Sequence, residues 1–121
     1  MRREHKKPLP PAALHILLDL RGASTPTDFV FPASTSPNRP MSENTMNLAL
    51  QRLGFAGDEM TPHGFRASAS TFLNESGLWN PDAIEAELAH VDTKSARSIY
   101  NRAKYWRERV EMMTWWSEHV V

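Results

Sequence analysis

The chain has 121 residues, 40% of them hydrophobic and 9% aromatic, which suits one domain or a substantial piece of one. Fourteen Lys and Arg balance fourteen Asp and Glu, which excludes a uniformly basic nucleic-acid coat; with no cysteine, disulfides and thiolate metal sites are excluded too. The longest apolar run, Leu14 to Leu20, contains His15 and Asp19 and is too short to span a bilayer.

The basic opening Met1-Arg2-Arg3-Glu4-His5-Lys6-Lys7 runs into prolines rather than an apolar core, so it does not read as a secretory signal, and a cytoplasmic location is expected. Residues 1–9 read as an extended remnant of β structure. A helix entered at Pro10-Pro11 carries Leu14, Leu17, Leu18 and Arg21 at i, i+3, i+4 and i+7, with Gly22 as its stop. Phe29-Val30-Phe31 before Pro32 reads as a short buried extended piece, and Ala33 to Pro40 as a loop.

Ser42 can cap a second helix, whose Met46, Ala49, Leu50 and Leu53 fit the helical template and which Gly54 ends. Thr61 caps a third, with Pro62 in its first turn and its end before Gly77. Asn80-Pro81-Asp82 opens a fourth that places Ile84 and Leu88 four apart and runs to about His90. A short helix around Lys94 to Tyr100 and a longer one from about Lys104 to His119 complete the chain. The predicted fold is mainly α with a small β remnant: a helical core over residues 10–101 and a C-terminal tail helix over 102–121.

On the third helix, Phe65, Ala69, Phe72 and Leu73 share one stripe, while His63 and Arg66 lie about 60° apart on the neighbouring flank. Both fall in the first turns, where the helix dipole and free N–H groups favour an anion. A guanidinium donates paired hydrogen bonds to non-bridging phosphate oxygens, and an imidazole exchanges protons near neutral pH. Five histidines and ten arginines yield roughly 0.4 His-x-x-Arg matches by chance, so the pair is weak evidence alone.

His90 falls at a helix end, where a histidine commonly answers the last carbonyls; its chemical role would be to donate to a phosphate in the transition state. Tyr100 is a poor nucleophile unless nearby cations or a base help remove its proton, and Arg97, Arg102, His63 and His90 are the available helpers. Tyr105 shares a stripe with Met112, Met113, Trp116 and Val120 and reads as core or interface, with Trp115 about 100° away. Charge is unevenly spread: Arg2, Arg3, Lys6 and Lys7 form one basic cluster, and Lys94, Arg97, Arg102, Lys104, Arg107 and Arg109 another. Such patches can follow a phosphate backbone while Asp82, Glu85 and Glu87 face elsewhere.

Together these residues resemble the catalytic domain of tyrosine recombinases, particularly prophage and genomic-island integrases. The matching text is Thr61-Pro62-His63-Gly64-Phe65-Arg66, Leu73-Asn74-Glu75-Ser76-Gly77, Pro81-Asp82-Ala83-Ile84-Glu85, Leu88-Ala89-His90-Val91-Asp92, Tyr100-Asn101-Arg102-Ala103 and Met112-Met113-Thr114-Trp115-Trp116. The opening Glu4 to Pro10 is similar to the end of that family's small sheet.

The resemblance implies double-stranded DNA as substrate, a tetrameric synapse of identical subunits, no cofactor and no metal. Tyr100 would attack the phosphate, Arg66 bind it, His63 assist proton transfer, and His90 stabilise the pentacoordinate state. The family also uses an upstream arginine and a lysine expected just before Met1, so the chain is expected to be the C-terminal part of the catalytic domain, inactive alone.

Three other classes compete. In a helix-turn-helix DNA-binding or interaction module, the helix from Asp82 would enter the groove, yet it carries Glu85 and Glu87 and no basic residue. A metal-dependent hydrolase would need ligand partners that His63 and His90 lack at typical spacing. A decayed integrase surviving as an interaction domain fits poorly with an intact His63, Arg66, His90 and Tyr100.

Overall fold

A computed structural model describes residues 4–23, 29–89 and 96–120, with the side chains of residues 23 and 96–98 left aside. Its helices are α1 (Pro11–Ala23), α2 (Glu43–Arg52), α3 (Pro62–Ser76), α4 (Pro81–Leu88), α5 (Ala96–Lys104) and α6 (Trp106–His119). The mainly α expectation holds. Among the described residues there is no strand, and the β structure that appears is an isolated antiparallel bridge between Pro32 and Pro40. None of the described helices is long and apolar enough to cross a membrane. The chain divides into two compact units, residues 14–65 and residues 1–13 with 66–121.

In the unit of residues 14–65, order comes from local turn chemistry. The bridge is flanked by Ala33 N–H to the Arg39 carbonyl (2.7 Å) and Met41 N–H to the Phe31 carbonyl (2.9 Å). Phe29, Val30 and Phe31 are exposed, contrary to the buried segment predicted, because a single bridge offers no sheet face to cover them. Ser42 occupies the N-cap of α2, but its hydroxyl meets the Thr45 hydroxyl (2.9 Å) rather than a backbone N–H.

At the other end Gly54 adopts φ +97°. Gly54 N–H bonds the Gln51 carbonyl and Phe55 N–H the Leu50 carbonyl, the paired bonds of a Schellman stop that needs a left-handed residue. Gly22 does not stop α1, which continues to Ala23. Leu14, Ile16, Leu18 and Leu20 of that helix are exposed.

The larger unit holds the core. Leu73 of α3, Ile84 and Leu88 of α4 and Met112 of α6 are buried together, with Trp79, Met113, Trp115 and Trp116 packed around them. Asn80 caps α4 by accepting from Asp82 N–H (2.9 Å), and Pro81 needs no partner for an N–H it lacks. Asn80 N–H donates to the Glu108 carboxylate (2.8 Å), which ties this turn to α6.

The predicted tail face is only partly right. Trp115, expected about 100° from the stripe, packs edge-on to Trp79 (6.1 Å between centroids) and stacks on His119 (4.8 Å), whereas Val120 is exposed. Trp79, in the α3–α4 turn, extends the buried surface around the flank of α6.

Residues 4–10 form no strand, because their polar groups answer side chains instead of a neighbouring strand. Arg102 donates to the Glu4 carbonyl (3.3 Å), Arg109 to the Lys6 carbonyl (2.7 Å), and the His5 ring Nε2 lies 3.2 Å from the Glu87 carbonyl.

Candidate functional site

Thr61 Oγ1 accepts from Gly64 N–H (3.0 Å), which fixes the start of α3 and sets His63 and Arg66 one turn apart near its N-terminus. Gly64 is tightly placed: a Cβ there would come within 3.0 Å of Met60 Sδ. His63 is exposed and Arg66 half-buried. Pro62 has no N–H and Thr61 occupies that of Gly64, so two of the four N-terminal donors are removed. The anion site predicted at this helix end would therefore have fewer free backbone N–H groups than the sequence suggests. No carboxylate in the first turn opposes it.

The apolar stripe beside this pair is narrower than its spacing predicts. Leu73 is buried, Phe72 is half exposed and leans on Trp116 (6.2 Å), and Phe65 borders a shallow apolar hollow of about 300 Å³ with Met46, Leu50 and Pro62.

Tyr100 lies midway along α5 and is 61% exposed, so its phenol is open to a ligand. The cation beside it is Lys104, whose ammonium lies 5.8 Å from the Tyr100 ring centroid and 5.3 Å from that of Tyr105. Lys104 was not among the helpers named from sequence, although its position four residues on along one helix is a readable signal. Arg102, which was named, instead reaches back to the Glu4 carbonyl. His90 and the Arg97 side chain lie outside the described residues. Arg66 and Tyr100 belong to the larger unit and His63 to the smaller.

α4 ends sooner than predicted, at Leu88, and Ala89 takes the left-handed conformation (φ 52°) just before His90. An L-residue other than Gly rarely adopts this, and such strain clusters near functional positions.

The second basic cluster needs correction at Arg109. Its side chain is 1% exposed, and Nε donates to Glu87 Oε2 at 2.7 Å. Glu87 is equally buried, and Lys7 approaches its other oxygen at 3.8 Å. Arg109 therefore cannot meet DNA, because it is consumed inside the fold. The sequence did carry the signal: Glu87 falls three residues after Ile84 and four after Ala83, both buried, while Arg109 lies three residues before Met112 and seven before Trp116. A charge within each of two apolar stripes marks a buried pair.

Burial also holds the His5 imidazole below its ordinary 6.5. The Glu87 carbonyl opposes the shift, Arg109 and Lys7 reinforce it, and the charge of Glu87 opposes it. Its Nδ1 is buried without a hydrogen-bond partner.

α4 has little surface left for a DNA groove, since Ala83, Ile84, Ala86, Glu87 and Leu88 are all buried and the helix packs on α5 and α6. That geometry disfavours the helix-turn-helix alternative. Among the described residues no group of three or more His, Cys, Asp or Glu is placed to hold a metal.

A family model described as "Phage integrase family" matches residues 1–107. The chain is 46% identical over 120 residues to prophage integrase IntA of Escherichia coli (strain K12), covering 99% of this chain and 29% of that protein. It is 38% identical over 122 residues to the integrase of Enterobacteria phage P4, covering 99% of this chain and 28% of that protein. It is also 38% identical over 118 residues to the integrase of Shigella phage Sf6, covering 97% of this chain and 30% of that protein. The chain thus spans less than a third of the length of these relatives. No solved structure matches it.

Proposed function

The chain belongs to the phage integrase family, and from that premise we propose that it is the C-terminal part of a recombinase catalytic domain that cuts and rejoins double-stranded DNA at attachment sites. Tyr100 is the nucleophile. Its phenolic oxygen, its proton passed on with the help of His63, attacks the scissile phosphorus; the bond to the 5′ oxygen breaks, and that oxygen leaves as a 5′-hydroxyl on taking a proton from the lysine that the resemblance places before Met1. The product is a 3′-phosphotyrosyl bond, which a 5′-hydroxyl from the same or a partner strand reverses, so no external energy source is consumed.

Arg66 binds the non-bridging oxygens, His63 moves the proton and His90 donates to the pentacoordinate phosphorus as its charge grows. A homotetrameric synapse on DNA in the cytoplasm is part of this reading.

The observation that supports it most is the agreement between the family match and an exposed tyrosine on a helix packed against α4 and α6. Strand exchange between two attachment-site duplexes by the intact protein tests it. Tyr100→Phe is expected to abolish exchange while leaving DNA binding nearly unchanged, and retained exchange would remove Tyr100 from its role. The 121-residue chain alone is expected to form no covalent DNA adduct on a nicked duplex, since the resemblance assigns two further catalytic groups to positions before Met1. Accumulated adduct would overturn that part.

A further inference from the structure

The chemistry above leaves unused one fully buried ion pair, Glu87 with Arg109. Every arm of the guanidinium is employed. Nε donates to Glu87 (2.7 Å), one terminal nitrogen to the Lys6 carbonyl (2.7 Å) and the other to the Arg102 carbonyl (3.4 Å). Its carbon lies 5.3 Å from the Trp106 ring centroid.

These contacts reach three separate stretches of chain: the last turn of α4, three residues before His90; the last turn of α5, two residues after Tyr100; and the N-terminal segment. At Tyr105 the backbone leaves helical geometry (φ −96°, ψ 13°), so the final carbonyls of α5 need other donors. Arg109 supplies one, and places positive charge at the negative end of that helix. Stability alone does not explain the arrangement, because a well-packed apolar pair commonly serves a buried site as well or better.

We propose that Glu87 and Arg109 form a positioning hub that locks the end of the Tyr100 helix to the end of α4 leading to His90, with residues 4–7 as its third anchor. The hub touches no DNA. It acts by fixing where the phenol stands, and it rests on the reading of Tyr100 as nucleophile.

The test replaces both charges in the intact protein, Glu87→Met with Arg109→Met, and adds Arg109→Lys, which keeps the charge but cannot serve three directions at once. Three readouts are needed: DNA binding, the single-turnover rate of covalent adduct formation on a nicked attachment-site duplex, and amide hydrogen exchange. The hub predicts near-normal binding with adduct formation slowed about ten- to a hundredfold, the scale expected for a misplaced reacting group. Exchange should quicken together at residues 5–7 and 100–104 while the amides around Met112 stay protected.

Wild-type adduct rates in both variants would overturn the proposal. Should the double variant fail to fold, Arg109→Lys carries the same readouts. If the unmodified protein forms no adduct, the nucleophile assignment fails, and the exchange experiment still decides the coupling: concerted loosening supports it, and unchanged protection at both segments refutes it.

Discussion

Residues 66–121 bury Leu73, Ile84 and Met112 completely, whereas no described side chain of residues 14–65 is fully buried. The smaller unit does not lack apolar residues: Leu14, Ile16, Leu18, Leu53 and Phe55 all lie there, exposed. Its order comes from the Schellman stop at Gly54, the bridge at Pro32 and Pro40, and the capped turn at Thr61. Such devices contribute about 1 kcal/mol each, while a buried leucine or methionine is worth about 2–5 kcal/mol against alanine. An apolar stripe in a sequence is therefore a capacity for burial, which only a facing surface realises. The proposed nucleophile stands on the unit where that surface exists.

The contrast can be broken by mutation. The largest stability loss is expected from Glu87→Ala, which strands a buried guanidinium and should cost about 3–5 kcal/mol in denaturant unfolding. Leu73→Ala or Met112→Ala should cost about 2–5 kcal/mol, while Leu18→Ala and Leu53→Ala should change stability by less than about 0.5 kcal/mol. Equal losses in the two units would show that the contrast is wrong. Gly54→Ala should cost about 1 kcal/mol through its left-handed backbone, and Asn80→Ala a similar amount through its lost cap, both read from midpoint shifts at constant slope.

The smallest effect is on pH. Because burial lowers the His5 pKa below 6.5, the folded state binds fewer protons than the unfolded one in the window beneath that value. Stability contributed by neutral His5 is present above pH 6.5 and is lost as pH falls through the window. His5→Gln should flatten the difference between unfolding curves at about pH 7.5 and about pH 5.5; an unchanged slope would show that other groups carry it.

What the sequence disclosed was mostly local chemistry. Thr61, Asn80 and Gly54 mark their helix ends because a cap or a left-handed turn involves only neighbours within four residues. Tertiary choices were hidden. α5 stops at Lys104, and Arg109, from the following helix, answers the Arg102 carbonyl in its last turn; no propensity encodes that bond. Of the strand remnant expected over residues 1–9, residues 4–9 answer side chains of α5 and α6 instead. Of the candidate site, the helices that carry His63, Arg66 and Tyr100 were legible, while the approach of Lys104 to the Tyr100 ring depends on side-chain placement along α5.

The proposed chemistry rests on Tyr100, and not Tyr105, joining the DNA. The most direct measurement is peptide mapping by mass spectrometry of the covalent complex formed by the intact protein on a nicked attachment-site duplex. A nucleotide linked through its 3′-phosphate to Tyr100 is expected, with no complex in Tyr100→Phe. Linkage to Tyr105, or a complex that persists in Tyr100→Phe, would contradict it.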